Sequence, residues 1–459
     1  MSHSAPPRVV RTNVRAGLYH RGVSAGLLAA LCLVSCKRSQ PLAEQRPVAP
    51  LVVVTDVVSR DAADAAISGV SLDQDTARRV AEIDAEIRSL EIIAGRRADD
   101  WMSLETVASL YLRRVSLTSD YEDYGHAEEA IERSFRRGNG IGPFLLRAQL
   151  NYTLHRLDRV GPDLDAILRG VIVRVSTREA VAELRADVLF HSGHYPEARA
   201  AYEALVAEDR SPSRLAALAQ YRWKTGDFAG ADALLVAAHR AAERRSPELR
   251  AWLHLVHGLM ELDRGRWPDA LSHYREGLVL RPGYWLLQEH EAEILTLQGQ
   301  GERTLPRYVD LIERTNNPEF MDAAAEILEA RGDHAGAQRW VARARAVYDA
   351  RLQRFPEAVA GHAIEHFLAH DPTRAVSIAE ANVRARPGGE AQVHLARALH
   401  AVGRHAEAKT VIDRVLASAW RTAELHATAS KIFASLGLAP RATEQRARAI
   451  ALNPHAMDP

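Results

Sequence analysis

Cysteine is almost missing from this 459-residue chain, and the two present, Cys32 and Cys36, both lie near its start. Everything beyond them folds without a disulfide framework and without thiolate metal sites. Lysine is nearly as scarce, at Lys37, Lys224, Lys409 and Lys431, yet lysine and arginine together number 59 and match 59 acidic residues. A neutral chain lacks the basic surface that displaces counterions from nucleic acid. Glycine-rich phosphate loops, Cys-x-x-Cys pairs and nucleophile elbows are absent, which removes the common signatures of nucleotide, redox and serine-hydrolase chemistry. Long apolar runs are missing too. The stretch Val23 to Val34 has 12 residues. As a helix it rises about 18 Å, against a hydrocarbon core of about 30 Å, so it is too short to span.

What is abundant is repetition. A unit Gly-x-x-x-x-Ala occurs at Gly193 to Ala198, Gly226 to Ala231, Gly265 to Ala270, Gly332 to Ala337, Gly403 to Ala408 and Gly437 to Ala442. Degenerate copies stand at Gly299 to Thr304 and His370 to Ala375. Successive anchors, counted from Gly193, are 33, 39, 34, 33, 38, 33 and 34 residues apart. A fixed period in the thirties predicts a solenoid whose units bury their apolar faces against their neighbours. Seven residues before each anchor stands a small residue, namely Ala186, Ala219, Gly258, Ala292, Ala325, Ala363, Ala396 or Ser430. Such residues let two helices approach closely. The anchor glycine ends the first helix in a left-handed conformation, and Pro196, Pro268 or Pro440 opens the second. The two long steps predict about one added turn in the second helices before Pro247 and Pro356.

Small residue, Gly-x-Tyr-x-x-Ala, second aromatic and closing proline, best seen from Gly258 to Pro282, resemble the tetratricopeptide repeat. The resemblance implies an all-α, tetratricopeptide-like solenoid of stacked helix-turn-helix units over roughly residues 100 to 455. Eight units fall in 179–459. Degenerate units in 100–178 include Gly125 to Ala130 and Gly161 to Ala166, and a capping helix in 73–99 precedes them. At the amino terminus Arg8, Arg11, Arg15 and Arg21 precede the apolar stretch, as in a secretory signal. Leu33-Val34-Ser35-Cys36 is similar to the lipobox of bacterial lipoproteins. That resemblance implies a signal peptide in 1–35, palmitate or a related acyl group on Cys36, and a lipid anchor in the cell envelope. Lys37, in place of Asp, points to the outer membrane and the periplasmic side. Residues 36–72 read as a polar tether with a short extended piece, Leu51 to Val58.

Candidate chemistry centres on His362-Ala-Ile-Glu365-His366, an inverted zinc-peptidase pattern in which two histidines and a glutamate share one helical face. His370 and Asp371 extend that stripe, but His366 occupies a packing slot that other units fill with Leu or Phe. Packing is therefore the stronger reading of His362 and His366, with a metal site, and a zinc-dependent hydrolase built on it, the alternative. His254 and His257, three apart, read in the same way. No cofactor is expected. In the tetratricopeptide family the first helices line a concave groove, and this resemblance puts Phe190, Trp223, Leu259, Leu262, Glu326, Phe367 and His400 along it. The expected function is non-catalytic binding of a peptide or helix of an envelope protein, with a homo-oligomer, paired through Ile450 and Leu452 of the last helix, as a third reading.

Overall fold

The computed structural model describes residues 70–458, in which 21 α-helices follow one another without a strand. The signal-like segment, Cys36 and Leu51 to Val58 lie outside the described residues. Helix α1 (Val70–Arg96) stands alone and lays Ile83, Ile87 and Ala94 against α2. Ten antiparallel hairpins follow. The first five are α2 (Trp101–Thr118) with α3 (Glu122–Arg137), α4 (Phe144–Thr153) with α5 (Leu157–Leu168), α6 (Val175–His191) with α7 (Tyr195–Glu208), α8 (Pro212–Lys224) with α9 (Phe228–Ala242), and α10 (Pro247–Asp263) with α11 (Trp267–Leu280). Then come α12 (Trp285–Leu297) with α13 (Gly301–Thr315), α14 (Pro318–Ala330) with α15 (His334–Arg354), α16 (Pro356–His370) with α17 (Pro372–Ala385), α18 (Gly389–Ala401) with α19 (His405–Ala417), and α20 (Ala423–Ser435) with α21 (Ala439–Leu452). Several first helices also meet one another, as α16 meets α18 and α18 meets α20. This is an α-solenoid of tetratricopeptide-like hairpins. Among the described residues no helix is long and apolar enough to cross a membrane.

The turn chemistry is uniform. Seven anchors, Gly193, Gly226, Gly265, Gly299, Gly332, Gly403 and Gly437, have φ between 69° and 89°. The next residue donates its N–H back five positions, as His194 does to the Leu189 carbonyl at 2.9 Å and Leu438 does to that of Phe433 at 2.9 Å. That closure satisfies carbonyls the helix end would otherwise orphan. Asp227 and Asp333 then cap the following helix by accepting from the Gly230 and Gly336 amides at 2.9 and 2.8 Å. His370 takes no left-handed conformation; there Asp371 alone joins two helices and caps the second.

Three expectations need correction. Gly125 and Gly161 lie inside the second helices α3 and α5, while the left-handed turn residues are Ser119 at φ 59° and His155 at φ 58°. Without glycine at those turns the anchor pattern locks onto the wrong residue. The 38-residue step is a longer second helix as expected, α15 with 21 residues. The 39-residue step instead lengthens the first helix α10 to 17 residues, because Pro247 opens that helix behind its Ser246 cap and does not close the preceding one.

The coil closes on itself. The α6–α7 turn meets the start of α18, six hairpins further on: the Gly388 amide donates to the His191 carbonyl at 3.1 Å, and the Gly389 amide to the Tyr195 hydroxyl at 2.6 Å. Likewise Arg421 donates its amide to the Lys224 carbonyl at 2.9 Å, and His455 stacks on Trp267 with centroids 4.0 Å apart. Earlier in the chain, Phe355 packs on Tyr121 and Tyr124, and Arg354 pairs with Glu122. Residues after α21 thus seat on the α10–α11 turn, and Ile450 keeps 40% exposure.

All eight small residues before the anchors are buried. At Gly258 an added Cβ would lie 2.3 Å from Tyr274 Cε1, and Tyr274 is fully buried and cannot yield. Alanine in a helix normally gains about 1 kcal/mol over glycine. Here Gly258→Ala is expected to destabilise by about 1–3 kcal/mol, read as a lower thermal midpoint; a raised midpoint would mean that these helices are not in close contact.

Candidate functional site

The residues expected along an open groove divide into two groups. Phe190, Trp223 and Leu259 are each 4% exposed and Phe367 is fully buried, so they pack the repeats and do not line a surface. Self-closure acts at Phe190, which lies 5.9 Å from Trp420 of the far coil, whereas Phe367 is covered within its own hairpin by Arg374 at 4.0 Å. Leu262, Glu326 and His400 stay partly exposed.

The zinc-peptidase pattern does not converge. His362 Nδ1 lies 3.0 Å from Glu319, His366 Nδ1 lies 2.9 Å from Asp322, and Glu365 forms a two-pronged pair with Arg397 at 2.5 and 2.8 Å. Each residue is taken by a different neighbour on α14 or α18. His362 and His366 are 7% and 3% exposed, within helix packing. On the same helix α14, Glu329 meets His334 at 2.8 Å.

These contacts belong to a polar belt on the inner helices. Arg397 also reaches Glu424 at 2.8 Å, and Lys224 of the facing coil meets Asp263 at 2.7 Å. Burial raises the carboxyl of Glu424, with Arg397 pulling it back in part. Burial also acts on Glu390, but Arg386, His394 and Lys224 outweigh it and hold that carboxyl below its ordinary range. Burial lowers His394 and Lys431. On α6, burial pushes Asp187 up to about 7, against the hydrogen bond that the Tyr202 hydroxyl donates at 2.7 Å.

A cleft of about 350 Å³ remains where α1 and α2 approach the starts of α10 and α12. Arg79, Ser116, Leu117, Arg281, Tyr284 and Trp285 are among its walls. The Arg281 guanidinium lies 4.0 Å over the Tyr284 ring, and burial lowers its pKa. Among the described residues it pairs with no carboxylate within salt-bridge distance, whereas Arg79 is held by Asp75 at 2.8 Å. A cation stacked on an aromatic ring and facing a cleft suits an anionic group such as a carboxylate. Sequence reading missed this cleft because its walls come from segments about 200 residues apart; Pro282-Gly283 beside Tyr284 was the visible trace.

No family model and no curated protein matches the chain. It is similar in structure to a tetratricopeptide repeat protein from Parabacteroides merdae, at 16% identity over 52% of this chain and 92% of that one, with a TM-score of 0.35. Cut9–Hcn1, from the hetero-tetramer of the APC/C, matches at 13% identity over 83% and 93%, with a TM-score of 0.32. The human IFIT1 dimer with m7Gppp-AAAA matches at 13% identity over 81% and 94%, with a TM-score of 0.39.

Two outcomes test this description. An acid raised in the folded state holds its proton after the unfolded chain has lost it, so stability falls as pH rises from about 4 to about 7. Asp187→Asn should therefore raise the thermal midpoint above pH 7 and leave it unchanged below about pH 4. Arg397→Met leaves Glu365 and Glu424 without their cation and should cost about 2 kcal/mol or more; adding Glu365→Gln and Glu424→Gln should recover most of that in denaturant melts.

Proposed function

We propose that this chain is a membrane-anchored, non-catalytic scaffold that binds a peptide or helix of another cell-envelope protein. The observation that carries the reading is the stack itself. Ten hairpins supply an extended helical surface, while His362, Glu365 and His366 are each committed to a separate structural partner. A hydrolase built on those three residues would need them on one ion, and the geometry disfavours it. The partner segment seats at the cleft between α1 and the α10 and α12 starts, with a carboxylate on Arg281 and apolar contacts to Leu117 and Trp285. Cys36 carries the lipid, and the residues between it and α1 are the tether that leaves the body free on the periplasmic side of the outer membrane.

Membrane attachment is tested by fractionation and by the intact mass of the amino-terminal peptide. The wild type should pellet with membranes and carry acyl mass on Cys36, and Cys36→Ser should become soluble. A photo-crosslinking residue at Ser116 should capture one envelope protein, and Arg281→Ala should abolish the adduct while a probe at the exposed Arg240 captures none. Capture that is equal from both positions and indifferent to Arg281 would dismiss the cleft as the binding site.

A further inference from the structure

Four histidines meet at the junction between the α8–α9 and α10–α11 hairpins. His239 comes from α9, His254 and His257 from α10, and His273 from α11. Their rings form a continuous cluster: His257 and His273 stack at 3.9 Å between centroids, His239 and His254 lie 4.5 Å apart, and His254 and His273 lie 5.6 Å apart. His254 and His257 are the pair visible in sequence; the other two arrive only through folding.

The nitrogens are arranged as ligands are. His254 Nδ1 and His273 Nδ1 face each other at 3.4 Å. Two imidazole nitrogens bound tetrahedrally to one zinc ion, each at about 2.0–2.1 Å, stand about 3.3–3.4 Å apart. Candidate ligand atoms of His239, His254 and His273 all lie within 4.8 Å of one another. His239 Nε2 and His257 Nδ1 are buried without a hydrogen-bond partner, a cost that a structure ordinarily avoids. Two carboxylates flank the cluster. Asp232 meets His257 Nε2 at 3.1 Å, and Glu276 lies 3.6 Å from His254 Nδ1 with its own side chain 55% exposed.

We propose that His239, His254 and His273 form a binding site for a divalent transition ion of the zinc class, clasping one repeat to the next. His257, stacked on His273 and held by Asp232, fixes the ring orientations, and Glu276 or a water completes the coordination. The donor set is three imidazoles, the borderline ligands that favour zinc, nickel and copper over calcium or magnesium. Neutral imidazole is the form that binds a metal, and histidine's ordinary pKa of about 6.5 makes it the prevailing form near pH 7. The flanking Arg250, Arg264 and Arg266 and the carboxylates Asp232, Glu261 and Glu276 complete the charged surroundings. The site differs from the His362–His366 stripe in helix, in hairpin and in ligand set.

The test uses the full chain, purified without a histidine tag and stripped with a chelator. Zinc titrated by calorimetry should bind at about one ion per chain and raise the thermal midpoint, and cobalt should give the visible absorption of a tetrahedral nitrogen-rich site. His254→Gln and His273→Gln should each weaken zinc binding by about 100-fold or more, the upper end of what losing even a supporting contact does. His366→Gln and His405→Gln should leave it unchanged, with circular dichroism confirming that all four variants are folded. Absence of saturable binding at micromolar zinc overturns the proposal, as does zinc retained by the His254 and His273 variants or lost with His366→Gln.

Discussion

At eight successive places a side chain no larger than that of serine lets the second helix of a hairpin lie against the first. Ala186, Ala292, Ala363 and Ala396 are wholly inaccessible, and Gly258 holds a tyrosine ring where its own Cβ would be. Everything larger in the repeat is arranged around that clearance. Tyr202, Tyr274 and Tyr308 fill the space beside it, and the second-helix alanines Ala198, Ala270 and Ala408 keep the opposite wall equally thin. Because packing at interior density tolerates little added volume, the eight sites set the hairpin spacing, and the spacing sets how fast the coil turns.

That curvature brings non-neighbours together. A coil that returned with a wider pitch would leave its inner face open, and the aromatic residues there would be a recognition surface. In this chain the α6–α7, α8–α9 and α10–α11 turns instead rest on segments some 190 to 200 residues later, so Phe190 and Trp223 act as filler. Several of the charged groups that remain on the inside are paired across helices. Arg397 is shared between two glutamates, and His362 and His366 answer Glu319 and Asp322.

How much of this was legible in the sequence follows from range. Local features were readable: the glycine turns, the small positions, the paired helices and the extra turns of α15 all follow from neighbours within a few tens of residues. Ser119 and His155 were not, because a non-glycine residue in the left-handed region leaves no compositional mark. Nor was the burial of Phe190, whose ring meets Trp420 of the far coil. The histidine cluster was half visible. His254 and His257 share a helix, but His239 and His273 join them from two different helices, and only the register of both hairpins would have placed them together.

The seam between coils changes what kind of polymer this chain is. An open array of repeats behaves as a one-dimensional chain of nearest neighbours, able to fray from either end and to lose a terminal unit at little cost elsewhere. Here the stacking of His455 on Trp267 and the bond from Gly389 to Tyr195 tie the last units to the middle ones. Removing the final hairpin would strip partners from units far upstream, and the average sequence separation of native contacts is raised. The body should accordingly melt as a single block and fold more slowly than an open solenoid of equal length.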